Sequence, residues 1–167
     1  MRSGMLALGF QTAQMTIAAN LAGLSHEQSL QQPRPAGNCV NWLAGHLLTS
    51  REGLKQILKI SGEPSLGARE AESYRQGSAP LSSPERAVRL ERLDSELQKC
   101  SADIVSKIRS MSEAELDALL DPKLFPGPVD QPSLANLLTL FLFHEAYHSG
   151  QIGLSRRLLG QPSGIRI

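Results

Sequence analysis

The chain has 167 residues and a formal net charge of +1, from 17 Lys and Arg against 16 Asp and Glu. That length suits one compact domain, residues 1–167, with a core of its own. The near-neutral balance, with no long single-sign run, offers no basic face for nucleic acid.

Cys39 and Cys100 stand far apart and outside any Cys-x-x-Cys spacing, so they read as reduced, small apolar residues rather than a disulfide scaffold. The N-terminus leads into an amphipathic stretch, not a secretory apolar region. The most apolar run, residues 134–143, contains Asn136 and Thr139 and is too short to span a bilayer. A soluble cytoplasmic protein with no membrane contact is expected.

Leu6, Phe10, Ala13, Ile17, Leu21 and Leu24 recur at helical spacing and predict a first helix over 5–24, which carries no acidic residue. Ser25 to Gln28 has the form of a capping box around a short turn, with His26 expected at the surface. After a Pro/Gly loop, Asn38 is expected to cap a second helix running to about Ile60, stopped by Gly62 and Pro64. Val40, Leu43, Leu47, Leu54 and Leu58 form its apolar stripe. Trp42 and His46 lie on the neighbouring stripe. Residues 61–83 read as the longest loop, either a lid or pocket wall or a plain crossover.

Ser83 as cap and Pro84 at the first helical position predict the start of a third helix. Its Leu90, Leu97, Ile104 and Met111 repeat every seven, interleaved with Leu93, Cys100 and Ile108, the clearest bundle heptad in the chain. Ser112 and Glu115 form a capping box for a short helix to about Leu120. Pro132-Ser133 opens the last long helix, and Gly160 and Pro162 stop it. No strand and no repeat is evident. The expected fold is all-α: a four-helix bundle with a long loop between helices 2 and 3 and a short extra helix before helix 4.

The last helix carries His144-Glu145-Ala146-Tyr147-His148-Ser149-Gly150-Gln151-Ile152. Histidines four apart lie about 40° apart around a helix, so both rings can reach one point beside it. They occupy a seam of Leu134, Leu137, Phe141, His144, His148, Gln151 or Ile152, Ser155 and Leu158, where a polar ring needs a partner. Either a metal or a hydrogen bond to a neighbouring helix would serve. The run spells H-E-x-x-H, but no His, Asp, Glu or Cys follows His148, so the downstream third ligand of a zinc protease is missing. A third ligand must come from upstream, and His46 is the histidine on a long helix there. Glu145 is the candidate catalytic proton acceptor, about 60° from His148 around the helix. Its alternative role is a flank carboxylate paired with an arginine. Tyr147 reads as an interhelical residue rather than a substrate contact. A di-iron bundle would need inward glutamates on several helices, and the first helix has none.

Four long helices, Asn41-Trp42-Leu43-Ala44-Gly45-His46-Leu47 in the second, and His144 to Leu154 in the last resemble the DinB/YfiT-like superfamily of metal-binding bundles. The resemblance covers essentially the whole chain. It implies one divalent metal ion, zinc or nickel, held by His46, His144 and His148, in a protein that is often a homodimer. Members include transferases and isomerases that use a low-molecular-weight thiol, and proteins described as metal-dependent hydrolases. The expected function is therefore activation of water or a thiol at a mononuclear three-histidine site, acting on a small-molecule substrate. The alternative is a non-catalytic, stress-induced bundle that acts as a binding module.

Overall fold

The computed structural model describes residues 2–33, 37–81 and 84–165. Among the described residues the elements are seven α-helices, α1 (Arg2–Leu21), α2 (His26–Ser29), α3 (Val40–Ile57), α4 (Ala68–Glu72), α5 (Leu90–Arg109), α6 (Glu113–Asp117) and α7 (Leu134–Leu158), with two short 3-10 turns. No strand occurs among them, only an isolated antiparallel bridge between Leu119 and Ser133. No described helix is long and apolar enough to cross a membrane.

The four long helices pack side by side, with α1 and α3 each lying against both α5 and α7. The α5 heptad behaves as its spacing requires, burying Leu90, Leu93, Leu97, Cys100, Ile104 and Ile108. The core falls into two apolar clusters. One gathers Ile17, Leu47, Leu48, Leu93, Leu97 and Ile152. The other gathers Phe10, Leu54, Ile104, Ile108, Leu116 and Leu138.

Several boundaries differ from the expectation, each for a local reason. Cys39, not Asn38, is the N-cap of α3, and it makes no side-chain cap bond. The helix stops at Ile57 because Lys59 adopts φ 55°, well before Gly62. The Lys59 N–H then donates to the Gln56 carbonyl and the Ile60 N–H to that of Lys55, a Schellman closure built without glycine.

The third long helix begins at Leu90 rather than Pro84, and Ser83 lies outside the described residues. Pro84–Arg86 forms one 3-10 turn. Two buried side chains then take up the next free N–H groups: Val88 donates to the Tyr74 hydroxyl at 2.8 Å and Leu90 to His26 Nδ1 at 3.3 Å. His26 is accordingly buried, 5% exposed, and not the surface residue its capping box suggested. The capping box itself is present.

Of the predicted loop 61–83, residues 82–83 lie outside the described residues, and the rest is not plain loop, since it folds α4 in its middle. The short helix α6 ends at Asp117, because Ala118 and Leu120 instead bond to Leu134 and Pro132. α7 opens at Pro132-Ser133 as expected, with Ser133 as its N-cap, and Gly160 closes the far end at φ 77°. Its inward face differs from the predicted seam, however. Leu134, Leu137 and Ile152 of that seam are buried, but Leu138, Glu145, Ser149 and Arg156 join them inside, while Leu158 is 67% exposed.

Candidate metal centre

His46 is carried by α3, and His144 and His148 by successive turns of α7. The His46 ring stacks on Trp42, four residues earlier, with centroids 4.7 Å apart and planes at 11°. Trp42 is pinned in turn by its indole N–H, which donates to Ser78 Oγ at 2.9 Å. His46 Nδ1 lies 2.9 Å from the carbonyl oxygen of Tyr74. A carbonyl can only accept, so Nδ1 carries the proton and Nε2 keeps a free lone pair.

His148 is oriented from within its own helix. Its Nδ1 is 2.7 Å from Gln151 Oε1, and the Gln151 amide nitrogen donates to the Tyr147 hydroxyl at 3.4 Å. Here too an Nδ1–H leaves Nε2 as the free donor atom. Such oxygen partners on the far nitrogen fix ring orientation and raise basicity at metal-binding histidines.

The three rings enclose one point. Their centroids lie 5.1, 5.0 and 4.5 Å apart, and one ring nitrogen from each lies within 4.8 Å of the others. His46 Nε2 and His144 Nε2 are 3.1 Å apart. Two lone pairs cannot face each other at that distance without a proton or a cation between them. Nitrogens bound to one zinc ion at about 2.05 Å stand about 3.3 Å apart at a tetrahedral angle and about 2.9 Å apart at a right angle. The observed separation falls between these values, so the donor set fits a divalent ion.

The electrostatics favour the uncharged, ligating form. Burial, then the neighbouring His148 and His46, push the His144 pKa down to about 4. Burial also lowers that of His148, against the opposing Gln151 hydrogen bond. His144 Nδ1 is buried without a hydrogen-bond partner among the described residues, so no oxygen acceptor orients that ring as Tyr74 and Gln151 orient the other two.

The histidines form the floor of a cleft of about 590 Å³, walled by Trp42, Ser78, Pro126, Leu140, Phe143 and Tyr147. Gln76, Gly77 and Ser78 of the connector line this cleft, and the nearby Tyr74 carbonyl orients a ring of the floor. Phe143 and Tyr147 are 72% and 57% exposed at the rim, so Tyr147 is not interhelical.

Glu145 does not reach this cleft. It is 1% exposed, and its two oxygens accept from Arg51 Nε at 2.7 Å and Nη2 at 2.8 Å. The expected role as proton acceptor is corrected by that geometry, since both oxygens are engaged on the core side of α7. Of its two sequence readings, the arginine-paired one describes where it lies. Trp42, Tyr74, Ser78 and Gln151 support the site without having been assigned a role from sequence. Trp42, four residues before His46, and Gln151, three after His148, carried a local signal, each lying on the helix face of the ring it supports.

The pattern of helices and histidines has a counterpart among known families. The model of the DinB superfamily matches residues 10–152, a span that contains His46, His144 and His148. The chain belongs to the DinB superfamily. Among solved structures, this DinB chain is similar to a conserved protein from Enterococcus faecalis. The two share 20% identity and a TM-score of 0.70, over 94% of this chain and 96% of that one. At that identity the likeness speaks for the fold. No curated protein matches the chain.

Proposed function

We propose that residues 1–167 act as one four-helix bundle that holds a single divalent ion, zinc or nickel, through His46, His144 and His148. We further propose that it is a metal-dependent enzyme acting on a small molecule. The observation that carries this reading is the convergence of three ring nitrogens, two of them from rings whose opposite nitrogen already faces an oxygen acceptor. Membership of a superfamily that often binds metal agrees with it.

Three imidazoles leave coordination positions open, the pattern of a catalytic rather than a structural site. When bound, such an ion supplies Lewis acidity that lowers the pKa of a water or a thiol. The chain's own residues do the rest. Tyr74 and Gln151 aim His46 and His148, Trp42 shields one ring face, and the cleft mouth offers Leu140, Phe143 and Tyr147 to an apolar part of a substrate. The reaction classes that follow are hydrolysis and transfer of a low-molecular-weight thiol to a small electrophile.

The test is elemental analysis of untagged protein prepared without chelator, beside His46→Ala, His144→Ala and His148→Ala. Near one metal per chain, lost in each variant, supports the site and justifies assays for both reaction classes. Absence of metal even after zinc or nickel supplementation would reject it, and a non-catalytic binding module would take its place.

A homodimer is the assembly we propose. After Arg2, α1 has no charged residue, yet Met5, Leu8 and Met15 are 76%, 61% and 67% exposed. Met5 and Leu8 line an apolar groove of about 780 Å³ between α1 and α7, together with Gly9, Ala13, Ala146 and Gly150. An uncharged exposed stripe of this kind marks an association surface. Light scattering should give twice the chain mass, and Leu8→Glu should halve it. A monomeric parent would dismiss the assembly.

A further inference from the structure

We infer that the buried Arg51–Glu145 pair is the positioning device of the histidine site: it sets the rotation of α7 and its register against α3. The inference rests on the metal reading above and assigns a function to two charges which that reading leaves unused.

The pair is the centre of a polar layer. Beyond its two bonds to Glu145, the Arg51 guanidinium donates through Nη1 to Gln14 Oε1 at 2.5 Å and to the Leu97 carbonyl at 2.6 Å. One side chain of α3 thereby ties α1, α5 and α7. The layer lies between the two apolar clusters. Gln14 falls between Phe10 and Ile17, Arg51 between Leu48 and Leu54, and Glu145 between Leu138 and Ile152.

Apolar pattern alone does not choose the inward face of α7. The helix leaves Phe143, Leu154 and Leu158 at 72%, 51% and 67% exposure while it buries Glu145, Ser149 and Arg156. A rotation that exchanged those sets would bury Phe143, Leu154 and Leu158 but turn out Leu134, Leu138 and Ile152, so hydrocarbon is traded in both directions and does not decide the face. What opposes the rotation is polar: Glu145 on Arg51, and Arg156 on the carbonyls of Asn20, Ala22 and Pro162. Turning or sliding α7 would separate a buried ion pair, and a buried charge without its partner is strongly disfavoured.

The site depends on that choice. With Glu145 aimed at the core, His148 and His144 point about 60° and about 100° away around the helix, into the seam where His46 waits on α3. The α3–α7 contact is the sparsest of the four between adjacent long helices. Few other contacts hold that seam in register.

A pair that only stabilises the fold and a pair that positions the ligands differ in a measurable way. Replacing a buried ion pair by apolar residues of similar volume is often neutral or stabilising. In Arg51→Met/Glu145→Leu, the fold should therefore persist, losing only what the Gln14 and Leu97 acceptors owe to Arg51, while the site loosens. Zinc and cobalt(II) affinities should fall about tenfold or more, with an altered cobalt visible spectrum and an unchanged helical CD signal. Glu145→Gln alone, which leaves Arg51 unpaired, should lose stability and affinity together. A folded double variant with zinc affinity within twofold of the parent and the parent's cobalt spectrum would overturn the positioning role and leave the metal site standing. A parent that takes up neither ion would overturn the metal reading, and this inference with it.

Discussion

Gly45 and Tyr74 are packed so closely that a Cβ on Gly45 would overlap ring atoms Cδ1, Cε1 and Cγ of Tyr74. The ring lies flat against α3, fully buried, with its hydroxyl donating to Asn41 Oδ1 and accepting from the Val88 N–H. The same residue's carbonyl holds the neighbouring His46. The absence of a side chain at Gly45 thus lets the connector approach close enough to orient a ligand.

Gly45→Ala should displace Tyr74 and cost about 1–3 kcal/mol, the usual range for overpacking. It should also weaken zinc binding, because His46 loses its acceptor. Urea unfolding and zinc titration of the purified variant check both effects. Parent-like values in each would show that the connector is not coupled to the site.

His144 has its pKa depressed from 6.5 to about 4, so the folded chain binds fewer protons than the unfolded chain between those values. Stability gained from this group is therefore present above pH 6.5 and lost as pH falls towards 4. In metal-free protein the urea midpoint should drop across that window, and His144→Gln should flatten the drop. An identical pH profile in the variant would remove His144 as its source. Saturating zinc should raise the midpoint at pH 7 and steepen the acid loss, since protons compete for the same nitrogens.

Lys59 sits at φ 55° at the C-terminus of α3, where a side chain is strained and glycine is not. Lys59→Gly should stabilise the fold by about 0.5–1 kcal/mol, less strain outweighing the extra freedom of the unfolded chain. Thermal melts of parent and variant decide it. A lowered midpoint would mean that the lysine makes a compensating contact.

His26 accepts the Leu90 N–H and so acts as a remote cap for α5. His26→Ala should lower stability by about 1 kcal/mol, as loss of a cap does, without changing metal content. Lost metal in a folded variant would contradict the separation of these two roles.

Much of this protein was legible in one dimension. Helical periodicity marks the four long helices, because 3.6-residue spacing is a local property of an amphipathic segment. Ser25 and Ser112 cap where their spacing to Gln28 and Glu115 requires, since a capping bond closes within four residues. The i, i+4 spacing of His144 and His148 places them together for the same reason, and His46 stands out as the upstream histidine on a long helix.

What the tertiary structure decided is everything that joins distant segments. His26 is buried because α5 begins above it, 64 residues later. Glu145 turns to the core because Arg51, 94 residues earlier, is there to meet it. Next to two histidines its carboxylate looks like a base; beside a guanidinium it becomes half of an ion pair. Sequence records which groups are ionisable and how they recur, whereas their partners are set by packing, which pairs residues with no regard to their separation along the chain.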